Sequence, residues 1–80
     1  MNRVRLSELP KDKLATIVAV ETPEMQVALM SLGVLEGDRC YISNIAPFGD
    51  PIAIHLNGTK VSLRKKDASF VWVKTVINEQ

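Results

Sequence analysis

Residues 22–38 constrain this chain most, because they carry the strong helix signal in a sequence otherwise made of strand-like segments. Thr22 is suited to cap a helix, since its hydroxyl can accept a hydrogen bond from a first-turn N–H, and Pro23 fits the first helical position. Gly33 is suited to end the helix, because glycine adopts a positive φ without a steric clash. Four apolar residues share one face of this helix and are expected to pack on the core: Met25, Ala28, Leu29 and Leu32.

The remainder of the chain predicts short strands. Segments of strand length and apolar or alternating character lie at residues 14–20, 39–45, 52–57, 60–64 and 70–77. The first is apolar on both faces, which burial on two sides or a β-bulge would explain. In the second, Cys40, Ile42 and Ile45 are expected to point inward. Asn57 and Gly58 are typical of a type I′ hairpin turn between the third and fourth strands.

Short strands joined by tight turns favour a small barrel, because closure removes the exposed edges of a sheet. We therefore predict a mainly β fold of about five strands in a partly closed barrel, with the helix covering one opening. Eighty residues make a single domain, 1–80, in which residues 1–5 and 78–80 are expected to be loosely ordered.

Composition limits the classes of function. The net charge of +1 disfavours a nucleic-acid binder, which needs a concentrated basic surface. Cys40 is the single cysteine, so no disulfide can form within the chain, and a reducing, cytoplasmic setting is favoured. No apolar run approaches the roughly 20 residues of a membrane-spanning helix, and no signal peptide is evident, so we expect no insertion into a membrane.

Residues 46–52, with Pro47, Gly49, Asp50 and Pro51, begin a resemblance to a known family. Together with residues 29–38 and 61–68, in the same order and spacing, they resemble the FeoA family, whose members are small cytosolic accessory proteins of bacterial ferrous iron uptake. The resemblance extends over residues 6–73. It implies an SH3-like barrel with an inserted helix. We expect no cofactor.

The resemblance further implies a function: a non-enzymatic accessory or regulatory module that binds the cytosolic region of the membrane permease FeoB. Such a module would be cytoplasmic and recruited to the inner face of the membrane through its partner, and self-association stays open. The alternatives are a metal-sensing regulatory domain, since the SH3-like domain of iron-dependent repressors shares the fold, and a small nucleic-acid-binding barrel.

The loop at residues 47–51 is the first candidate for contact with a partner. Its two prolines limit conformational entropy, and Phe48 would be an exposed aromatic anchor. The alternative is that Phe48 folds back on the barrel and Asp50 caps the turn. Val34 has two interpretations: with Leu35 it gives the apolar contact that often accompanies a glycine C-cap, or with Gln26 and Met30 it faces the partner. The predicted partner-binding residues are Met30, Leu32, Gly33, Pro47, Phe48, Gly49, Asp50, Pro51, Arg64 and Lys65.

Arg64 and Lys65 form part of a basic cluster with two interpretations. It is either a solvated hairpin end that keeps an edge strand from pairing or a patch for an acidic partner surface. No aromatic residues interleave with these cations, which is a second argument against nucleic acid.

Catalytic and metal chemistry find little support in the sequence. His55 is the only histidine, no carboxylate pair is spaced for acid–base work, and the glycines are scattered among separate turns. We therefore expect no enzyme. The candidate metal ligands are His55, Cys40, Asp50 and Glu36, with His55 and Cys40 first among them. A ferrous site needs clustered ligands, and a lone cysteine is more often a small buried apolar residue, so we expect no metal site.

Overall fold

The computed structural model describes residues 3–76. It contains six strands, two α-helices and a 3₁₀ turn: β1 (Arg3–Arg5), the 3₁₀ turn (Leu6–Glu8), β2 (Ala15–Val20), α1 (Pro23–Ser31), β3 (Arg39–Ile45), β4 (Ile52–Leu56), β5 (Thr59–Leu63), α2 (Lys65–Ala68) and β6 (Val71–Thr75). The strands form one antiparallel sheet in the order β1-β6-β2-β3-β4-β5. Because β1 and β5 end this order, the sheet has two edges and is a partly closed barrel at most. The mainly β fold is confirmed, with six strands rather than about five.

Strand β1 corrects one prediction. Residues 1–5 were expected to be loosely ordered, yet Arg3–Arg5 pairs with β6, and Val4 lies opposite Val73 against the core. Three residues are too few to show a periodic pattern, so only their pairing partner identifies them as a strand. Residues 1–2 and 77–80, with the predicted C-terminal tail and the end of the predicted last strand, lie outside the described residues.

Two irregularities bend the sheet. The pairing register shifts between Ile17 and Ala19 in β2, as the bulge interpretation predicted, and between Ile42 and Asn44 in β3. A bulge bends a strand and increases its local twist. The second shift places Ile45, at the end of β3, opposite the buried Ile52, yet Ile45 is 41% exposed rather than buried; Cys40 and Ile42 are buried as predicted.

The core is enclosed by the concave face of this sheet. It consists of fifteen buried apolar residues: Leu6, Leu9, Ala15, Ile17, Met25, Leu29, Val34, Cys40, Ile42, Ile52, Ile54, Leu56, Ala68, Val71 and Val73. No polar or charged side chain among residues 3–76 is buried with them. The cluster draws on every strand from β2 to β6 except β5, on both helices and on the 3₁₀ turn, so the elements depend on one another for burial.

Helix α1 begins as the sequence predicts. The Thr22 hydroxyl accepts a hydrogen bond of 3.1 Å from the Met25 N–H, and Pro23 occupies the first turn. At the other end, the Gly33 N–H donates to the Met30 carbonyl at 2.9 Å, and the Val34 N–H donates to the Leu29 carbonyl at 2.9 Å. Gly33 has φ +80°, so both ends use the predicted residues, and the second is a Schellman motif.

The buried face of α1 differs from the predicted one. Met25 and Leu29 are buried, but Ala28 is exposed and Leu32 is 45% exposed. Val34 is buried, as an apolar contact at the C-cap predicts, so the interpretation in which it faces a partner is wrong. The Schellman motif explains the exchange, because the reversal at Gly33 brings the next residue back against the last helical turn. No helix within residues 3–76 has the length and apolar character to cross a membrane.

Removing the cap should destabilise α1 and the fold that depends on it. We expect Thr22→Ala to lower the free energy of unfolding by about 1 kcal/mol, because the first-turn N–H of Met25 loses its acceptor. Thr22→Ser keeps a hydroxyl and should stay close to the wild type. Urea denaturation followed by circular dichroism measures both. A serine variant as unstable as the alanine variant would show that the hydroxyl is not what stabilises this helix.

Candidate partner-binding site

Residues 46–51 form a tight loop between β3 and β4. The Gly49 N–H donates to the Ala46 carbonyl at 2.8 Å, and the Ala46 N–H donates to the Pro51 carbonyl at 3.1 Å. Gly49 has φ +86°, a conformation that favours glycine. Phe48 lies at the tip with its side chain 98% exposed. It does not fold back on the barrel, and the loop presents an aromatic ring to solvent.

Asp50 fastens this loop to α2. Its Oδ1 accepts a hydrogen bond of 2.9 Å from the N–H of Lys65, the first residue of α2. The pairing of Ile52 with Leu63 makes this possible, because it brings the start of β4 beside the end of β5. Asp50 therefore caps a neighbouring segment rather than its own turn. The Phe48 loop and the basic residues Arg64 and Lys65 lie together at one end of the β4–β5 hairpin.

The other predicted partner-binding residues lie elsewhere. The Gly33 carbonyl accepts a hydrogen bond of 3.4 Å from the side-chain amide of Asn57, which is in the turn at the opposite end of the hairpin. Met30 and Leu32, 59% and 45% exposed, belong to the same region. Met30 borders a shallow groove of about 350 Å³ between α1 and β2. The structure therefore divides the predicted set into two separate surfaces.

The turn between β4 and β5 has positive φ at both central residues, 47° at Asn57 and 80° at Gly58, as a type I′ turn requires. The turn aligns β4 and β5 so that Ile54 faces Val61 and His55 faces Lys60. The predicted hairpin is confirmed. This register is also what places Asp50 within reach of Lys65.

Cys40 and His55 lie on opposite faces of the sheet. Cys40 pairs with Leu56, and the next pair along the two strands is Tyr41 with His55. Because successive residues of a strand point to opposite faces, the side chains of Cys40 and His55 lie on opposite sides of the sheet. Burial raises the pKa of the Cys40 thiol to about 11. The His55 ring stacks on Tyr41 with 5.0 Å between centroids. These two residues cannot hold one ion, and no group of three or more His, Cys, Asp or Glu converges within residues 3–76.

Trp72 anchors a polar cluster that sequence reasoning missed. Its Nε1–H donates to Glu21 Oε2 at 2.8 Å, and Arg5 Nη1 donates to the same oxygen at 3.1 Å. The guanidinium carbons of Arg3 and Arg5 lie 4.8 Å and 4.3 Å from the centroid of the indole ring, within cation–π range. Arg5 also donates to the Ser69 carbonyl at 2.6 Å. The arginines come from β1, Glu21 follows β2 and Trp72 lies in β6, so the pairing of β6 with both β1 and β2 unites them. The single tryptophan was the available signal in the sequence.

This cluster alters the titration of Glu21. The hydrogen bond from Trp72 lowers the pKa of the Glu21 carboxyl below its ordinary value, and the charge of Arg5 acts in the same direction. A carboxyl whose pKa is lower in the folded state favours folding above its unfolded pKa. That contribution is lost as the pH falls through the folded pKa.

We expect the melting temperature to fall as the pH drops below 4.5, the ordinary pKa of the Glu21 carboxyl. In Glu21→Gln this part of the decline should be absent, because the amide does not titrate. Thermal melts of both proteins across acidic pH measure the difference. As a control, Glu24→Gln removes a carboxylate from the exposed first turn of α1. Equal acid sensitivity in the wild type and Glu21→Gln would contradict the role of this cluster.

The comparisons with known proteins agree with this geometry. The model of the FeoA domain family matches residues 4–75. The FeoA protein of Chlorobium tepidum has a TM-score of 0.87 and 29% identity, with 96% of this chain and 74% of that chain covered. A FeoA-like protein of Clostridium acetobutylicum has a TM-score of 0.86 and 27% identity, with 100% of this chain and 94% of that chain covered.

A third solved structure supplies the name of the fold. The FeoA of Stenotrophomonas maltophilia, complexed with zinc, has a TM-score of 0.75 and 27% identity, with 86% of this chain and 87% of that chain covered. It is described as a prokaryotic SH3 domain protein and as a candidate activating factor of ferrous iron transport. The predicted SH3-like fold and the predicted family resemblance are both confirmed.

Proposed function

This chain belongs to the FeoA domain family, and from that membership we propose that it is a non-enzymatic accessory module of bacterial ferrous iron transport that binds the cytosolic region of the permease FeoB. The family match over residues 4–75 supports the link to iron transport, as does the activating role suggested for the Stenotrophomonas maltophilia protein. The module acts in the cytoplasm and reaches the membrane through its partner.

One observation carries the proposed contact: Phe48 is 98% exposed at the tip of a loop that Asp50 fastens to α2. Burying such a ring against a partner contributes about 2–3 kcal/mol, which is a large share of the free energy of a weak complex. Because the loop is already held by hydrogen bonds, little conformational entropy is lost on binding. A surface of this kind is suited to a protein partner.

The basic residues beside the loop give the contact its charge. Arg64 and Lys65 are exposed, and the Asp50–Lys65 hydrogen bond keeps them next to Phe48. Cations at the rim of an interface attract an acidic partner surface and speed association. The proposed contact is therefore an aromatic anchor with a basic rim.

Binding alone does not regulate transport. A module shifts a conformational equilibrium only if it binds one state of the permease more tightly than the other. We propose that the Phe48 loop meets a surface of the permease that differs between its states.

The direct test is the affinity for the purified cytosolic region of the cognate permease, measured by isothermal titration calorimetry. We expect Phe48→Ala to weaken binding about tenfold or more, because the aromatic anchor is removed without disturbing the core. Arg64→Glu should weaken binding more at low salt than at high salt, because the contribution of Arg64 is electrostatic.

Leu14→Ala is the matched control, because Leu14 is an apolar residue, 38% exposed, outside the predicted contact. It should bind like the wild type. Wild-type affinity in a folded Phe48→Ala variant would remove the loop from the contact. No binding by the wild-type protein would contradict the proposed partner.

A further inference from the structure

The convex face of the sheet carries a row of cationic side chains. Residues directly opposite one another in antiparallel strands point to the same face. Arg3 lies opposite Lys74, Lys74 opposite Thr16, and Thr16 opposite Arg39. These four residues cross β1, β6, β2 and β3, and we call them the cationic row. Their neighbours Val73, Ala15 and Cys40 are buried, so the row faces solvent.

No ion pair within the described part of the chain involves the row: the ion pairs there join Arg5 to Glu21 and Lys11 to Asp12. Arg3 is compensated in part, because its guanidinium lies over the Trp72 ring and its charge acts on the Glu21 carboxylate. Arg3 and Lys74 are like charges directly opposite each other, an arrangement that destabilises a sheet. A bound anion would relieve this repulsion.

Positive charge is concentrated on this face as a whole. Lys60 lies opposite His55, and His55 lies opposite Tyr41. Tyr41 is two residues from Arg39 on β3, so Lys60 shares the face of the cationic row. Five of the ten Lys and Arg residues of the chain therefore lie here, although the net charge of the chain is only +1: Arg3, Arg5, Arg39, Lys60 and Lys74. The near-neutral net charge of the chain therefore conceals an uneven distribution of charge over its surface.

We propose that the cationic row binds an extended acidic segment of a partner protein. Three strand spacings make the row about 14 Å long, which an extended peptide crosses in about four or five residues. Acidic residues at alternate positions of such a peptide recur about every 7 Å on one side. They would meet Arg3, Lys74 and Arg39 in turn. The Thr16 hydroxyl, between Lys74 and Arg39, can donate a further hydrogen bond.

Nucleic acid fits this face less well, because its aromatic rings are already engaged. The Trp72 ring lies against two guanidinium groups and gives its N–H to Glu21, and Tyr41 and His55 stack on each other. Proteins that bind single-stranded nucleic acid offer free aromatic faces on which the bases stack.

An anionic membrane also fits less well. The bulges in β2 and β3 curve the sheet, so a flat bilayer would touch the convex face along a narrow band. Leu14, two residues before Thr16, is an apolar side chain next to the row and is 38% exposed; more exposed apolar side chains lie elsewhere, Val27 and Met30 on α1 and Phe48 on its loop.

The cationic row is separate from the Phe48 loop, so this inference does not rest on the proposed function. The test uses a short synthetic peptide that alternates glutamate and serine, with fluorescence anisotropy as the readout. We expect Lys74→Glu and Arg39→Glu to weaken peptide binding about tenfold each at low salt, and added salt to weaken the wild type. Glu21→Gln should tighten binding, because it removes a negative charge beside Arg5.

Lys11→Glu is the matched control, since it makes the same change of charge away from the row and should weaken binding far less. Folding is controlled by thermal melts, in which Lys74→Glu should be at least as stable as the wild type, because it places an acid opposite Arg3. Equal losses in Lys11→Glu and Lys74→Glu would overturn the proposal. Row-dependent binding of single-stranded DNA or of anionic vesicles, without binding of the peptide, would overturn it too.

Discussion

The structure depends on the bending of one sheet around a small core. A chain of eighty residues builds only a small core, and here a single sheet supplies most of the wall. The register shifts in β2 and β3 give the required curvature, and α1 and the 3₁₀ turn fill the concave side with Met25, Leu29 and Leu6. Because the interior is fully taken up by apolar packing, recognition is left to the loops and to the convex face.

The pairing of β4 with β5 connects this architecture to the candidate site. The hairpin turn sets the register, the register places the loop at residues 46–51 beside the start of α2, and Asp50 then joins the two by a hydrogen bond of 2.9 Å. An exposed aromatic ring and two basic residues thus lie on one surface, whose two segments are joined by a hydrogen bond. Strand pairing also builds the convex face, because the pairing of β1 with β6 aligns cations that are far apart in the sequence.

Local chemistry made part of this structure predictable. The cap at Thr22, the end of α1 at Gly33 and the turn at Asn57 each depend on a few adjacent residues, and all three are confirmed. The errors share a different cause. Strand β1 and the Trp72 cluster follow from long-range pairing. Single-sequence patterns do not contain that information.

We propose that the loop at residues 46–51, joined to α2 by Asp50, is together with Arg64 and Lys65 the surface that meets the permease. The most direct test is the amide chemical-shift perturbation of the isotope-labelled protein upon addition of the unlabelled cytosolic region of the permease. The largest perturbations and line broadening should fall at residues 47–51 and at Arg64 and Lys65. Perturbations concentrated around Met30 and Leu32, with residues 47–51 unchanged, would place the contact on the other surface and contradict this account.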